Sequence, residues 1–270
     1  MRRRLTTLAV LTTAVAVASV AVGQPEGQRQ QIETAVKAAS RTPANTERDR
    51  YRHPVDTLAF FGVKPTDTVV EFIPGGGWYS EILAPMVKGR GKYIALVPAR
   101  SAEGAQKMLT ARQDVFGPAT VATLDATTGT STIAPGSADV VLTFRNVHNL
   151  LMGNGDPANA ARAFQAFYAA LKPGGTLGVV DHRLPEEMDS AKEKTSGYLK
   201  RSTVVKLATD AGFELAGESD VNANPQDTHD HPEGVWTLPP TYRLKDQDRA
   251  KYAAIGESDR MTLRFRKPAR

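Results

Sequence analysis

The chain has 270 residues, of which 41% are hydrophobic and 23% are charged, so it can bury one substantial core. It contains no Cys, which excludes disulfide frameworks, thiolate metal sites and cysteine nucleophiles. Its formal net charge is +5, but Lys and Arg are scattered rather than clustered with aromatic residues, which argues against nucleic-acid binding.

Residues 1–23 have the pattern of a targeting segment. Three Arg precede an apolar run from Leu8 to Val22, and small residues lie just before Gln24. The run is shorter than the roughly 20 residues of a membrane-spanning helix. We therefore predict a cleaved secretory signal and a periplasmic or secreted protein with no stable membrane span; an uncleaved anchor is the alternative. Without residues 1–23 the net charge falls to +2.

The segment after this signal is predicted to lead into a single domain. Residues 24–50 are polar and Ala-rich, which predicts a linker with a short amphipathic helix before a domain over residues 51–270. The stretch "HPVDTLAFFGV" predicts the first helix of that domain, with Pro54 in its first turn. Its buried residues are predicted to be Leu58, Phe60 and Phe61.

Strand and helix signals then alternate. The predicted strands cover residues 68–73, 92–97, 120–125, 138–144, 176–181, 213–221 and 260–268. The predicted helices between them cover about 78–86, 102–115, 156–171 and 202–212. This alternation predicts an α/β fold, in which a doubly wound, Rossmann-like, seven-stranded and mostly parallel sheet carries helices on both faces.

The helix near residue 160 is the best marked. Asp156 is its predicted N-cap, and Pro157 is its predicted first residue. Its predicted buried face consists of Phe164, Phe167, Tyr168 and Leu171. The sequence "KPGG" at 172–175 then predicts a sharp turn into the next strand.

A long polar stretch, about residues 222–258, precedes the last strand. Loops of this length are uncommon in compact domains unless they are functional or disordered. The apolar sequence "VWTLPP" within it favours a cover packed on the core.

The sequence "VVEFIPGGGWYSEILAP" predicts a buried strand, a glycine-rich loop and a helix. Glycine allows a ligand to approach the backbone and allows positive φ angles. In open parallel sheets, ligands bind at the carboxyl ends of the strands near the switch in strand order. The loop is therefore a candidate ligand site.

This strand and loop, with "LKPGG", "AGF" and the final strand, resemble class I S-adenosylmethionine-dependent methyltransferases over residues 55–267. The stretches "YRHPVDTLAFFGVKP", "RNVHNL", "DHPEGVWTLPP" and "IGESDRMTLRF" look more narrowly like an exported bacterial group of predicted methyltransferases. The resemblance implies an antiparallel last strand, S-adenosylmethionine as cofactor and methyl transfer to an acceptor, which the sequence leaves unknown.

The resemblance also implies roles for residues at the strand ends. Glu71, Gly75 and Gly77 would lie beside the methionine part of the cofactor, and Asp125 would meet the adenine amino group. The predicted cofactor-binding residue Asn146 and the predicted catalytic residues His148, Asp181 and His182 would face the transferred methyl group and the substrate. Because the ordinary pKa of His is about 6.5, His148 is the first candidate base.

Two positions depart from the family pattern. Ile73 replaces the first glycine of the loop, and a β-branched residue adopts positive φ with difficulty, so we expect a different loop backbone. Val97 replaces the acid that binds the ribose hydroxyls, which weakens binding by about 1.5–3 kcal/mol per lost charge-assisted bond. These departures leave open an alternative, a non-catalytic or metal-binding periplasmic protein on the same fold.

Other chemistry is less strongly indicated. His229 and His231 in "THDH" offer a metal site together with Asp181 and His182, although their spacing is not diagnostic and no metal is predicted. Three aromatic residues offer either cation–π contact with a sulfonium or core packing: Trp78, Tyr79 and Trp236. No G-x-S-x-G motif follows a strand, which argues against a hydrolase, and the oligomeric state stays open.

Overall fold

A computed structural model describes residues 26–153 and 156–269, and the predicted signal at 1–23 lies outside these ranges. The helices in the described part are α1 (Glu26–Val36), α2 (Pro43–Thr46), α3 (Asp49–Arg52), α4 (Pro54–Phe61), α5 (Ser80–Val87), α6 (Ala102–Ala111), α7 (Gln113–Phe116), α8 (Val147–Leu151), α9 (Ala158–Ala170), α10 (Arg201–Asp210) and α11 (Arg249–Ile255). The strands are β1 (Thr68–Phe72), β2 (Lys92–Val97), β3 (Thr120–Asp125), β4 (Thr130–Ser131), β5 (Ala138–Phe144), β6 (Leu171–Leu184), β7 (Leu199–Lys200), β8 (Glu214–Ser219) and β9 (Arg260–Arg266). Short 3₁₀ helices cover Ala99–Ser101, Ser190–Lys194 and Gly234–Thr237.

The strands form one sheet in the order β4-β3-β2-β1-β5-β6-β9-β8, with β7 paired to the end of β6. The pairs from β3 to β6 along this order are parallel, whereas β9 is antiparallel to both β6 and β8. The predicted doubly wound α/β fold is confirmed, and the two-residue strands β4 and β7 are additions to the seven predicted strands. Strand order reverses between β1 and β5, so their carboxyl ends border the crevice of the fold.

Two hydrophobic clusters cover the sheet because strand side chains alternate between its faces. Val70 and Phe72 of β1 belong to one cluster, and Val69 belongs to the other. Phe164 and Phe167 of α9 are fully buried in the first cluster, as predicted. These clusters fix the sheet and therefore the positions of the strand ends.

Several predicted details differ in the structure. Helix α9 begins at Ala158, after an Asp156 side chain that accepts a hydrogen bond from the Ala158 amide at 2.9 Å. Tyr168 is only half-buried, and Leu171 already belongs to β6. Phe60 is half-buried too, and the Arg264 guanidinium lies 5.0 Å from its ring centre.

The predicted turn at 172–175 is an irregularity within β6 rather than a separate turn. The pairing of β5 with β6 skips from Ala138 and Leu171 to Val140 and Thr176. Gly174 lies inside this step with a φ of +76°, a value that glycine adopts without steric cost. The strand therefore bends without ending.

Residues 26–50 pack on the domain. Ile32 of α1 is fully buried in the second cluster, and the Gln28 amide donates to the Val63 carbonyl oxygen at 2.8 Å. The division of the chain at residue 50 stays a prediction.

The stretch 222–258 forms a cover over the carboxyl end of β6. Val235 and Trp236 pack against Leu184 and Tyr198, and the Val235 amide donates to the Ser196 carbonyl oxygen at 2.8 Å. Within residues 26–153 and 156–269, no helix combines the length and the hydropathy needed to cross a membrane.

Candidate functional site

The glycine loop follows β1 at the crevice. Ile73 adopts a φ of +51°, so its branched side chain does not prevent a positive φ at this position. This left-handed conformation costs a non-glycine residue about 1–2 kcal/mol. The Asn146 amide nitrogen lies within hydrogen-bond distance of three backbone carbonyl oxygens, those of Phe72 (3.2 Å), Ile73 (3.0 Å) and Phe144 (3.0 Å). Asn146 therefore holds the loop in place.

The glycines of this loop differ in their surroundings. Gly75 has a φ of +59°, and a Cβ at Gly75 or Gly76 would meet no heavy atom within 4 Å. Gly77 is buried with a φ of +82°, and a Cβ there would lie 3.1 Å from the sulfur of Met108. The open face of the loop is therefore at Gly75 and Gly76, whereas Gly77 contacts helix α6.

The Glu71 carboxylate is turned into the core. Its Oε2 accepts hydrogen bonds from Tyr93 at 2.6 Å and from Ser80 at 2.9 Å. Burial raises the pKa of Glu71 to about 7, although these hydrogen bonds oppose the shift. These hydrogen bonds join Glu71 to strand β2 and to the first residue of helix α5, which follows the loop.

Two further predicted cofactor positions end β2 and β3. Val97 is buried and offers only an apolar side chain. Asp125 is exposed, and its Oδ1 accepts hydrogen bonds from the backbone and hydroxyl of Thr127 at 2.8 and 2.6 Å. These Thr127 hydrogen bonds lower the pKa of Asp125, which is therefore ionised at neutral pH.

The end of β6 supplies a buried carboxylate, Asp181. Its Oδ2 accepts from the backbone amides of Val147 (2.7 Å) and His148 (3.2 Å). Its Oδ1 accepts from the His182 amide and contacts Nδ1 of His148, both at 2.8 Å. With Nδ1 donating to this carboxylate, the ring nitrogen of His148 that is left to accept a proton is Nε2.

His182 lies beside this pair. Its Nδ1 is 2.5 Å from the Ser258 hydroxyl, and its ring centre is 5.1 Å from that of His148. Burial, with nearby His148 and Arg145, lowers the pKa of His182 well below its usual value, so His182 is neutral at pH 7. Ligand atoms of His148, Asp181 and His182 lie within 4.8 Å of one another.

A cavity of about 210 Å³ opens next to these histidines. The cover forms part of its wall. The residues that line the cavity are Arg145, His148, Asn149, His182, Val235, Trp236, Pro239, Pro240, Thr241, Glu257 and Ser258. The predicted catalytic residues His148 and His182 thus face a space that a small ligand can enter.

Sequence reasoning missed the charged cluster behind this cavity. Glu257 is 4% exposed and pairs with Arg48 at 2.7 Å, Arg260 at 3.0 Å and Arg52 at 3.3 Å. Burial alone would raise the pKa of Glu257, but the surrounding arginines hold it at about 2. The sequence carried one indirect signal, since Arg52, Arg145, Glu257 and Arg260 fall in the stretches quoted above for their resemblance to one narrow group.

The histidines of "THDH" lie elsewhere in the cover. His231 contacts Asp227 at 2.8 Å, and His229 contacts Asp259 at 3.3 Å. The metal set suggested from the sequence, which joined these histidines to Asp181 and His182, was wrong in its grouping. Within the described residues it is His148 that clusters with Asp181 and His182.

Two of the three candidate aromatic residues contribute to packing. Trp78 is buried, with the Arg52 guanidinium 4.6 Å from its ring centre, and Tyr79 stacks on Phe144 at 3.5 Å. Trp236 lines the cavity, with its ring centre 6.1 Å from that of His148. Trp236 is therefore the aromatic residue placed to contact a ligand in the cavity.

No protein-family model matches the chain, and no curated protein matches it in sequence. Solved structures share its fold. A SAM-dependent methyltransferase from Aquifex aeolicus is 16% identical with a TM-score of 0.54, covering 88% of this chain and 98% of its own. The [4+2]-cyclase SpnF is 16% identical with a TM-score of 0.54, and the match covers 81% of this chain and 82% of the cyclase. An arsenic(III) S-adenosylmethionine methyltransferase from Chlamydomonas reinhardtii is 15% identical with a TM-score of 0.51, covering 88% and 73%.

At these identities the similarity establishes the fold alone. Since one of these structures is described as a cyclase and two as methyltransferases, the shared fold does not fix the reaction.

Proposed function

We propose that the protein transfers a methyl group from S-adenosylmethionine to an acceptor bound in the cavity beside His148. The observation that carries this proposal is the buried pair of His148 and Asp181 at the carboxyl end of the sheet. Methyl transfer to a protonated acceptor requires a base, and a histidine whose Nδ1 is held by a carboxylate presents Nε2 for that purpose. The fold shared with known methyltransferases supports the same function.

The glycine loop fits the cofactor in part. Open space beside Gly75 and Gly76 admits a ligand to the backbone, and the ionised Asp125 stands at the end of β3. Val97 offers apolar contact in place of a carboxylate, so we expect weaker binding than in enzymes that have the acid. When bound there, S-adenosylmethionine would supply an activated methyl group.

Each residue of the pair has a separate role. His148 accepts the acceptor's proton at Nε2, while Asp181 fixes the orientation and tautomer of the imidazole. His182 stays neutral and, with Ser258, forms a polar wall. The cover limits the access of water to the cavity.

The first test is calorimetric titration of the purified protein with S-adenosylmethionine and S-adenosylhomocysteine. Gly75→Val should weaken binding by a factor of at least about ten, because the valine side chain would occupy the open space beside the loop that the ligand needs. Gly136→Val is the matched control, since Gly136 also has positive φ (+64°) and open surroundings but lies at the amino end of β5. Absence of binding at millimolar ligand would refute the proposal.

A second test separates binding from chemistry. His148→Ala should abolish methyl transfer to any acceptor found by screening, while S-adenosylmethionine binding persists. Unchanged turnover in this variant would remove His148 as the base.

We also infer that the protein acts after export, as the pattern of residues 1–23 indicates. N-terminal sequencing of exported material should then begin at Gln24. An exported chain that still begins at Met1 would contradict cleavage and favour the uncleaved anchor, whereas a protein found only in the cytosol would contradict this inference.

A metal-binding protein is the second candidate, favoured by the close approach of His148, Asp181 and His182. Both imidazoles leave Nε2 available, which is the usual ligand atom when Nδ1 has a partner. The test is metal analysis after incubation with Zn²⁺, with His182→Ala as the variant. Stoichiometric zinc that the variant lacks would favour this candidate, whereas no retained zinc and no thermal shift would remove it.

A further inference from the structure

Glu257 is the centre of a buried, arginine-rich cluster. Three guanidinium groups share its carboxylate, those of Arg48, Arg52 and Arg260. One guanidinium nitrogen of each has no hydrogen-bond partner among the described residues, although all three atoms are buried. The carboxylate is therefore already shared among three cations.

A fourth arginine, Arg145, lines the cavity beside His148 and His182, as Glu257 does. In the described parts of the chain its guanidinium forms no hydrogen bond or ion pair, whereas its backbone amide donates to the Val180 carbonyl oxygen at 2.7 Å. Arg145 adopts a φ of +61° directly after β5, a conformation that is uncommon for a residue with a side chain. Burial lowers the pKa of Arg145 to about 10, so it is still cationic at neutral pH.

The cavity offers Arg145 no carboxylate of its own. Among the described residues, Glu257 is the one acidic residue in the wall, and its oxygens are engaged by the other arginines. The neutral lining side chains of Asn149, Thr241 and Ser258 offer hydrogen bonds but no charge. Arg145 is half-buried, and a partly desolvated cation without a partner is costly, so such groups are usually paired or serve a ligand.

We propose that this cavity binds the anionic group of a small acid, a carboxylate or phosphate, through the Arg145 guanidinium. The planar guanidinium suits both groups because it donates two parallel hydrogen bonds. A cavity of about 210 Å³ limits the ligand to a small molecule or to one end of a larger one. As an identification of the methyl acceptor, the inference rests on the proposed function; as an anion site, it does not.

The test titrates inorganic phosphate and acetate into the full protein by calorimetry, with NaCl adjusted to hold ionic strength constant. We expect saturable binding of at least one anion, weakened by a factor of at least about ten in Arg145→Gln. Arg145→Lys should retain part of the affinity, because lysine keeps the positive charge but cannot donate two parallel hydrogen bonds. Arg90→Gln is the control, since Arg90 is exposed and precedes β2. It therefore lies at the amino ends of the parallel strands, away from the cavity at their carboxyl ends.

Thermal unfolding without added anion gives an independent measurement. Arg145→Gln should unfold at a higher temperature than the wild type, because the variant removes an unpaired, half-buried charge. A purely structural arginine would give a lower midpoint. Failure of both anions to bind saturably, or equal affinity in Arg145→Gln and wild type, would overturn the proposal.

The titrations also distinguish the two proposals. Anion binding that requires Arg145, in a protein that does not bind S-adenosylmethionine, would preserve the anion site and refute methyl transfer. Binding of S-adenosylmethionine by a protein that binds neither anion would overturn the anion site and leave the proposed methyl transfer standing.

Discussion

Replacement of Asp181 by Asn is the most direct perturbation of the site. The carboxylate accepts three backbone amide hydrogen bonds and contacts the His148 ring, so all of its contacts to this chain call for an acceptor. An amide keeps one acceptor oxygen and introduces a donor in place of the other. If the oxygen stays with the Val147 and His148 amides, the new NH₂ group faces the His182 amide and His148 Nδ1.

The energetic cost follows from this count. The His182 amide loses its acceptor, which costs about 1–3 kcal/mol for a buried group. The opposite amide orientation leaves two backbone donors without an acceptor and costs about twice as much. In the cheaper orientation His148 accepts the new N–H at Nδ1, and its proton moves to Nε2. Asp181→Asn should therefore lower the free energy of unfolding by about 2 kcal/mol, and it should also remove Nε2 of His148 as the proposed proton acceptor.

Urea denaturation measures the first effect, and nitrogen NMR shifts of the histidine side chains report the tautomer of His148. Asp139→Asn is the control, because Asp139 is partly exposed and accepts a hydrogen bond from the Thr68 amide at 2.8 Å that the remaining oxygen can keep. The variant loses only the partly exposed ion pair with Lys172. We expect it to cost less than about 1 kcal/mol. An Asp181→Asn protein as stable as this control, or one with unchanged His148 shifts, would refute the reasoning.

Three further predictions concern charge and packing. Glu257→Gln should cost about 3–5 kcal/mol at pH 7 by urea denaturation, because it leaves buried arginines uncompensated. With a folded pKa of about 2, Glu257 contributes stability that is present above pH 4.5 and lost as pH falls towards 2. The free energies of unfolding of wild type and variant should therefore converge as pH approaches 2. Glu71 has a raised pKa of about 7, so its contribution is full below pH 4.5 and lost as pH rises to 7; Glu71→Gln should abolish that slope in a pH series of denaturation curves. Gly234→Ala should loosen the cover, because its Cβ would overlap the Ser196 backbone at a φ of +56°; proteolysis at 222–258 as slow as in wild type would contradict this.

The fold was predictable because its signals are local and repeated. Runs such as residues 68–73 and 138–144 are apolar, and each is bounded by a turn or a helix, so strand positions follow from the sequence. The bend at Gly174 was not predictable as part of β6, because its pairing with β5 depends on residues far apart in the chain. The ordered packing of residues 222–258 likewise depends on contacts with Ser196 and Tyr198.

The site was predictable only where strand ends determine it. His148 follows β5, and Asp181 and His182 lie near the carboxyl end of the neighbouring strand β6, so topology alone brings them together. The direction of a side chain was not accessible in this way: Glu71 has the expected position, but its carboxylate turns towards Tyr93. The Glu257 cluster joins residues more than 200 positions apart, a distance that no local pattern reports.

Charge distinguishes the candidate ligands of the cavity. A divalent metal ion at His148 and His182 would add positive charge beside Arg145, and the Asp181 oxygens that would compensate it already accept backbone hydrogen bonds. An anion meets the opposite situation, since Arg145 attracts it and the engaged carboxylate of Glu257 repels it only weakly. In the proposed acceptor, Arg145 would bind the anionic group while Nε2 of His148 accepts the proton of the atom that receives the methyl group. An acidic acceptor therefore uses both unusual features of the cavity, the unpaired arginine and the carboxylate-bound histidine.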